Sequence, residues 1–260
     1  MSALLSVEGL SKSFGGVHAV RGVSFDVAPA SIHSVIGPNG AGKTTLFNMI
    51  SALVKPSSGR AVFDGRDVSR ARPHHLARLG IGRTFQNLAV FSHATVVENL
   101  LVGMHHRIGG NVLSDGVFFG STRAREIRAR EEVERIIEFL EIEHLRNEVV
   151  GMLSYGLQKR VELGRALATG PKLLLLDEMV SGMNTEETED IARFILDIKQ
   201  ELSIAVLMIE HDMSIVMDIS DRVTVLSFGE RIADGTPGEV AADPRVIDAY
   251  LALYGPDARD

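Results

Sequence analysis

A glycine-rich loop that contains one lysine and one threonine is the strongest chemical signal in the 260-residue sequence. Residues 37–44 read Gly-Pro-Asn-Gly-Ala-Gly-Lys-Thr and match the eight-residue phosphate-loop pattern in full. The glycines let backbone N–H groups point at phosphate oxygens, and the start of the following helix adds partial positive charge. In such a loop Lys43 reaches the β- and γ-phosphates, and the Thr44 hydroxyl is a ligand for Mg²⁺. The predicted nucleoside triphosphate site comprises Pro38, Asn39, Gly40, Ala41, Gly42, Lys43, Thr44 and Thr45.

Two carboxylates follow a run of four leucines, in the sequence Leu-Leu-Leu-Leu-Asp-Glu at residues 173–178. In a parallel sheet, the strands that flank a phosphate loop bring their carboxyl ends to the ligand crevice. We therefore expect Asp177 to hold Mg²⁺, directly or through water, and Glu178 to polarise the attacking water as a general base.

Short β-type runs alternate with longer helical patterns, which predicts an α/β fold with a mainly parallel core sheet. The predicted core strands cover residues 31–36, 81–85, 173–177, 204–209 and 222–227. Three earlier runs, at residues 4–7, 23–27 and 61–63, lie between turn-forming residues and predict a separate antiparallel sheet. Helices are expected over residues 45–53 and 156–168, and a long charged helix should begin near residue 121.

This pattern divides one expected domain into three parts. A nucleotide-binding core with the antiparallel β subdomain would span residues 1–86 and 171–235, and a helical subdomain would be inserted at residues 87–170. Residues 236–260 would form a C-terminal helical tail.

The composition excludes several classes of protein. The formal net charge of −7 argues against nucleic acid as the main partner, and the absence of cysteine excludes disulfides and thiolate metal sites. No stretch of about 18 apolar residues occurs, and the first residues lack the pattern of a signal peptide. We therefore expect a cytoplasmic protein.

Further motifs follow the phosphate loop in a fixed order. Gln86 lies in Arg-Thr-Phe-Gln-Asn, residues 153–158 read Leu-Ser-Tyr-Gly-Leu-Gln, residues 181–184 read Ser-Gly-Met-Asn, and His211 lies in Ile-Glu-His-Asp. With the acidic strand between them, these motifs resemble the ATP-binding subunit of ABC transporters along almost the whole chain.

The resemblance implies an ATPase with a P-loop NTPase core, which forms a head-to-tail dimer around two ATP molecules. Each ATP would lie between the phosphate loop of one subunit and the signature segment, residues 153–158, of the other. Phe14 matches the aromatic residue that stacks on adenine, Gln86 the residue that senses Mg²⁺ and communicates with the membrane subunits, and His211 the residue that contacts the γ-phosphate. The implied catalytic residues are Lys43, Gln86, Glu178 and His211, the implied metal ligands are Thr44, Gln86 and Asp177, and the implied signature contacts are Ser154, Tyr155, Gly156 and Gln158.

Four residues depart from the family's common pattern. Tyr155 and Leu157 differ from the usual signature, Met179 stands where proline is common, and Asn184 stands where aspartate is common. Ser154, Gly156 and both carboxylates of the acidic strand are retained, so we expect an active ATPase.

Residues 82–87, 95–100 and 243–251 are similar to those of the LivG-like ATPase subunits of branched-chain amino acid importers. The ATPases of urea and lipopolysaccharide transporters look similar, so the sequence leaves the solute open. The partners implied are a second ATPase subunit, identical or paralogous, the membrane permease subunits and, indirectly, a solute-binding protein.

Two other functions use the same loop. A soluble ABC ATPase of translation or repair would usually carry a second cassette or a long coiled coil, and this chain shows neither. A small-molecule kinase would need neither the signature segment nor His211. The motif set therefore favours the energising subunit of a membrane importer. Residues 86–93, with the loop at 107–121, are expected to receive a permease helix; alternatively, Leu88, Val90 and Phe91 fill the core of the insertion.

Overall fold

The computed structural model describes residues 3–84, 88–108 and 121–254. Gln86 and nearly all of the loop at 107–121 lie outside the described residues. The strands are β1 (Leu5–Phe14), β2 (Val17–Val27), β3 (Ile32–Ile36), β4 (Ser58–Phe63), β5 (Arg66–Asp67), β6 (Ile81–Arg83), β7 (Leu173–Asp177), β8 (Ala205–Ile209), β9 (Arg222–Ser227) and β10 (Glu230–Gly235).

Ten α-helices are described along these ranges. They are α1 (Lys43–Ile50), α2 (Pro73–Leu79), α3 (Val96–Gly103), α4 (His105–Ile108), α5 (Ser121–Phe139), α6 (Tyr155–Ala168), α7 (Thr185–Gln200), α8 (Met213–Ile219), α9 (Pro237–Ala241) and α10 (Pro244–Tyr254). None of the helices in the described ranges is both long enough and apolar enough to cross a membrane.

A six-stranded sheet in the order β10-β9-β3-β8-β7-β6 forms the centre, and its strands are parallel except for the antiparallel edge strand β10. A second, antiparallel sheet has the order β2-β1-β4-β5. This arrangement confirms the predicted fold class.

The central sheet is covered on both faces. Every residue of β3, β7 and β8 is buried, which explains the apolar runs in β7 and β8. The two buried polar residues of β3, His33 and Ser34, have side-chain hydrogen-bond partners in Thr224 and Ser220. In β7, Leu174 and Leu176 face a core built with helices α5, α6 and α7. Leu173 and Leu175 face a second core, which contains α1 and the antiparallel sheet. The sheet is thus held rigidly between two layers, with its strand ends at one edge.

Some predicted boundaries are wrong. The helix predicted at 45–53 spans Lys43–Ile50, because Gly42 is its N-cap and Ala52 has a φ of 58° that ends helical geometry. The strand predicted at 4–7 continues to Phe14. Its pairing with β2 shifts register after Val7, so Gly9, which was interpreted as part of a turn, lies within a bulged strand. The strand predicted at 81–85 ends at Arg83.

Strand β10 was not expected from the sequence. Three of its six residues are charged and only two of the six are buried, which is typical of an edge strand. The turn that joins it to β9 has positive φ at both Phe228 (47°) and Gly229 (83°), which suits a tight hairpin.

Candidate nucleotide site

The phosphate loop lies between β3 and α1, and close backbone contacts fix its path. A Cβ atom built on Gly37 would lie 2.1 Å from the Leu226 carbonyl oxygen, and one on Gly42 would lie 2.4 Å from the Ala19 carbonyl oxygen. Their φ angles of 147° and 99° are also ones that other residues rarely adopt. Only glycine therefore fits at these two positions, which explains why the loop motif requires them.

Neighbouring strands support the loop from behind. The Gly229 N–H donates to the Ala41 carbonyl at 3.0 Å, and the Arg21 N–H donates to the Gly229 carbonyl at 2.8 Å. The β9–β10 turn and β2 thereby hold the loop at the carboxyl end of β3. Asn39, Gly40 and Thr44 are exposed on the other side, where a ligand could approach, while Thr45 and Pro38 are partly buried.

Lys43 lies beneath the loop with its ammonium group directed at the loop backbone. Its Nζ donates to the carbonyl oxygens of Gly37 at 2.6 Å and Pro38 at 2.9 Å. Burial lowers the pKa of Lys43, and the nearby negative charge of Glu178 opposes that shift. The ammonium group is thus placed where the β- and γ-phosphates would pass.

Phe14 lies at the end of β1, where the β1–β2 hairpin turns close to the loop. Its ring is 50% exposed, and the Lys12 ammonium lies 5.0 Å from the ring centroid. Residues of β2 beyond this hairpin contact the loop, since the Ala19 carbonyl lies against Gly42. The ring is therefore an accessible apolar surface at the edge of the site.

Asp177 ends β7 and is almost fully buried, with 1% exposure. Its Oδ2 accepts a hydrogen bond from Arg83 at 3.0 Å, and its backbone N–H donates to the Thr84 hydroxyl at 3.3 Å. Burial raises the pKa of Asp177, and the Arg83 guanidinium opposes the shift. Its Oδ1 is buried and has no hydrogen-bond partner within the described parts of the chain.

This unpaired carboxylate oxygen suits a cation. A buried oxygen without a donor costs free energy, which a bound ion would recover. Mg²⁺ prefers oxygen ligands and binds through one or two protein groups together with substrate phosphates. Asp177 and the exposed Thr44 hydroxyl offer such a donor set, so the residues present fit Mg²⁺.

Glu178 and His211 form a hydrogen-bonded pair at the ends of β7 and β8. The distance between Glu178 Oε1 and His211 Nε2 is 2.7 Å, with exposed side-chain fractions of 14% and 45%. Glu178 has a φ of 51°, an unusual conformation for a residue with a side chain. A carboxylate held by an imidazole at the mouth of the phosphate loop is suited to accept a proton from water.

The structure therefore brings Lys43, Asp177, Glu178 and His211 to one edge of the central sheet, as the sequence predicted. The role of each side chain stays a prediction.

Sequence reasoning missed two charged residues that organise this edge. Arg83, at the end of β6, pairs with Asp177 and also donates to Asn48 Oδ1 at 2.9 Å and to the Ser51 hydroxyl. Glu210 is 3% exposed, and its Oε1 accepts from the Val180 N–H at 3.4 Å. Burial raises the pKa of Glu210 to about 7, against the effect of hydrogen bonds from backbone N–H groups. The available signal was their position in the sequence. Arg83 and Glu210 lie at the ends of β6 and β8, the strands on either side of the acidic strand β7.

The signature segment forms the N-terminus of α6. Ser154 is the N-cap, and its hydroxyl accepts from the Leu157 N–H at 3.4 Å. Ser154 and Tyr155 are exposed, whereas Gly156 is buried against α7, since a Cβ there would lie 2.3 Å from Glu187 Oε1. The Gln158 amide donates to the Leu153 carbonyl at 2.8 Å and is partly buried. The segment thus presents a hydroxyl and a helix N-terminus to its surroundings.

Asn184 performs a structural task that aspartate would also perform. Its Oδ1 accepts from the Glu187 N–H at 2.9 Å, and Glu187 Oε2 accepts from the Asn184 N–H at 3.2 Å. This is a capping box at the start of α7, and asparagine is as good an N-cap as aspartate. The departure at this position therefore leaves the local fold intact.

Comparison with known proteins identifies the same family on independent grounds. The ABC transporter family matches residues 20–181, and the family described as branched-chain amino acid ATP-binding cassette transporter matches residues 230–251. The chain is 41% identical over 248 residues to the high-affinity branched-chain amino acid transport ATP-binding protein BraF of Pseudomonas aeruginosa, across 95% of this chain and 97% of that protein. It is 39% identical over 254 residues to the LivG protein of the same description from Escherichia coli K12, with the same coverage. The crystal structure of the ADP conformation of an ATP-binding cassette of an ABC transporter matches with a TM-score of 0.84 and 36% identity, across 96% of this chain and 99% of that one.

Proposed function

Because the chain belongs to the ABC transporter family of ATP-binding proteins, we propose that it hydrolyses Mg-ATP at this edge of the sheet to drive a membrane importer. The observation that carries the proposal is the Glu178–His211 pair, with 2.7 Å between Oε1 and Nε2, at the mouth of the phosphate loop. A phosphate loop alone binds nucleotide, whereas a positioned carboxylate base adds hydrolysis.

The residues of the site divide the reaction among them. Loop N–H groups and the Lys43 ammonium bind the phosphates, which replace the Gly37 and Pro38 carbonyls as partners of Nζ. Thr44 and Asp177 would hold Mg²⁺, which would supply positive charge beside the phosphates.

The water is activated by the pair at the strand ends. Glu178 accepts a proton from the water that attacks the γ-phosphorus. As a base Glu178 is a carboxylate and can only accept hydrogen bonds, so His211 Nε2 carries the hydrogen and donates it. His211 thereby orients Glu178 and lies within reach of the transferred phosphate. Gln86, which is outside the described residues, is proposed to sense Mg²⁺.

The remaining side of each nucleotide is completed by a second ATPase subunit, either identical or paralogous. The exposed Ser154 hydroxyl and the N-terminus of α6 form an anion-binding surface. In a head-to-tail dimer this surface, with Tyr155, Gly156 and Gln158, closes on the γ-phosphate held by the partner's phosphate loop. Phe14 stacks on the adenine from the loop side.

The proposed solutes are branched-chain amino acids. The support comes from the names of BraF and LivG and from the family match at residues 230–251. Urea, other amino acids and lipopolysaccharide are the alternative cargoes. The chain acts in the cytoplasm on the inner face of the membrane, with residues 87–170 as a helical subdomain that moves with the permeases. A periplasmic solute-binding protein takes part indirectly.

Phe91 is the proposed contact with a permease helix. Phe91 is 53% exposed, while its N–H donates to Asn99 Oδ1 at 2.8 Å and its carbonyl accepts from Asn99 Nδ2 at 3.0 Å. Asn99 is fully buried, so the backbone of Phe91 is fixed although its side chain is partly open to solvent. Val90, in contrast, packs against the core. The docking role is therefore proposed for Phe91 and not for Val90.

The experiment compares Phe91→Asp with Leu53→Asp, which alters a residue of similar exposure, 51%, in the turn after α1. Both proteins should fold and bind ATP. Phe91→Asp should fail to co-purify with the permeases and should abolish uptake of radiolabelled leucine, isoleucine and valine, whereas Leu53→Asp should retain both. Normal uptake by Phe91→Asp would refute the docking role, and uptake of urea in place of these amino acids would refute the solute class.

A further inference from the structure

Glu210 occupies a buried position between the ends of β7 and β8. It follows Ile209, the last residue of β8, and precedes His211. The strands are still paired at this point, since Asp177 is the register partner of Ile209 and the Glu178 N–H donates to the Ile209 carbonyl at 3.0 Å. Beyond Glu178 the chain turns away, and the Glu210 side chain lies against that turn.

The Glu210 carboxyl group lies among backbone N–H groups from both strand ends. Its Oε1 accepts from the Val180 N–H at 3.4 Å, and the N–H groups of Met179 and His211 oppose the rise of its pKa. A carboxyl oxygen accepts an N–H donor in either protonation state of the group. One buried side chain thus connects the residues that follow Glu178 with the residue that carries the imidazole.

Met179 suits this arrangement. Proline, common at this position in the family, has no backbone N–H to place near Glu210. The Met179 side chain is fully buried, so its packing also holds the backbone of residue 179 in place. The departure at residue 179 therefore places an N–H group where it opposes the rise of the Glu210 pKa.

We propose that Glu210 is a positioning residue, which holds the turn after Glu178 against the start of the His211 loop and so maintains the hydrogen bond between the two side chains. The proposal rests on the proposed catalytic roles of Glu178 and His211. Glu178 is in the left-handed region, with a φ of 51°, which a non-glycine residue keeps only when its surroundings enforce it. The hydrogen bond from the Val180 N–H to Glu210 constrains the chain two residues after Glu178.

The test uses two substitutions at Glu210 in the full chain. Glu210→Met keeps a long side chain but accepts no hydrogen bond, and Glu210→Gln keeps one acceptor oxygen. A misplaced base impairs chemistry without weakening the binding of phosphates by the loop. We expect kcat to fall on the order of 10- to 100-fold in Glu210→Met and less in Glu210→Gln, with the Kd of Mg-ATP unchanged within about twofold.

Thr224→Val is the matched control for a general loss of stability. Thr224 is also fully buried in the central sheet, where its hydroxyl lies 2.9 Å from His33 Nε2 and donates to Asp234 at 3.3 Å, at a strand that carries no proposed catalytic group. This variant should show a lower melting temperature with kcat per folded molecule retained. Comparing this variant with the Glu210 variants separates a general loss of stability from a displacement of Glu178 relative to His211.

The outcomes are distinct. Wild-type kcat in the folded Glu210 variants overturns the proposal. So does a loss of activity that disappears when kcat is calculated per folded molecule, which is the behaviour expected of Thr224→Val. If Glu210→Met does not fold, Glu210→Gln decides through its own kcat at unchanged Kd. Glu178→Gln is measured in the same series. If that variant hydrolyses ATP at the wild-type rate, the proposed role of Glu178 as the base is refuted. If Glu178→Gln is inactive while both Glu210 variants are fully active, only the positioning role of Glu210 is refuted.

Discussion

Replacing Arg83 with methionine tests the electrostatics of the buried acidic strand. The substitution removes the guanidinium 3.0 Å from Asp177 Oδ2 and leaves an apolar side chain of similar length. That side chain can still pack on Phe47, whose ring centroid lies 5.8 Å from the guanidinium carbon in the native protein. The substitution therefore removes the partner of a buried carboxylate, together with the hydrogen bonds to Asn48 and Ser51.

The expected cost is large because little water reaches the pair. The side chains of Arg83 and Asp177 are 11% and 2% exposed, so solvent screens their interaction weakly. Removing one partner of a buried ion pair costs about 3–5 kcal/mol of unfolding free energy. For a chain of this size each kcal/mol shifts the melting temperature by about 2–4 °C, so we expect a decrease of roughly 6–20 °C.

The sign of the pH dependence follows from the pKa of Asp177. Burial already raises this pKa in the folded protein, and the loss of Arg83, which opposes the shift, raises it further. A carboxyl group whose folded-state pKa is raised contributes stability at low pH that is lost as pH rises through that pKa. The destabilisation of Arg83→Met should therefore become smaller as the pH falls.

Thermal unfolding of the nucleotide-free protein over a series of pH values above the sequence pI of about 5.7 measures the effect. The control is Arg60→Met, which removes a surface pair with Glu8 whose side chains are 58% and 45% exposed. The control should melt with the wild type. A melting temperature of Arg83→Met equal to that of the control, or a gap that widens at the lower pH, would refute the reasoning.

Three further outcomes are expected. Lys43→Ala should abolish most ATP binding and hydrolysis, because the phosphates lose the loop's ammonium group; isothermal titration and phosphate release check this. Gly42→Ala should lower the unfolding free energy by about 2 kcal/mol or more in urea titrations, because its Cβ would meet the Ala19 carbonyl at 2.4 Å; unchanged stability would contradict the loop geometry. Phe14→Ala should weaken ATP binding on the order of 10-fold while Phe14→Tyr preserves it, and equal affinities would exclude stacking on adenine.

The phosphate loop and the acidic strand could be predicted from the sequence because their signals are local. Eight consecutive residues define the loop, and four buried leucines define the strand that delivers Asp177 and Glu178. Strand β7 lies where the apolar run predicted it, at Leu173–Asp177. Binding of phosphate and Mg²⁺ needs these residue types in that order, so the same residues that form the sequence motif also form the site.

Arg83 and Glu210 could not be assigned roles in the same way. Their partners are distant in sequence: Arg83 contacts a residue 94 positions away, and Glu210 contacts one 30 positions away. Such pairs depend on which strands are neighbours, and strand order is a property of the folded sheet. Strand β10 was missed for a related reason, since an edge strand needs few apolar residues and takes its conformation from pairing with β9.

The central claim is that this chain hydrolyses ATP with Glu178 as the base, within a dimer closed around the nucleotide. Glu178→Gln keeps the shape of the side chain but cannot accept the proton from water. The measurement is size-exclusion chromatography of this variant with saturating Mg-ATP, together with its rate of phosphate release. We predict a stable dimer that retains ATP and a hydrolysis rate reduced on the order of 10²- to 10⁴-fold. A variant that stays monomeric under saturating Mg-ATP, or that releases phosphate at the wild-type rate, would contradict the account.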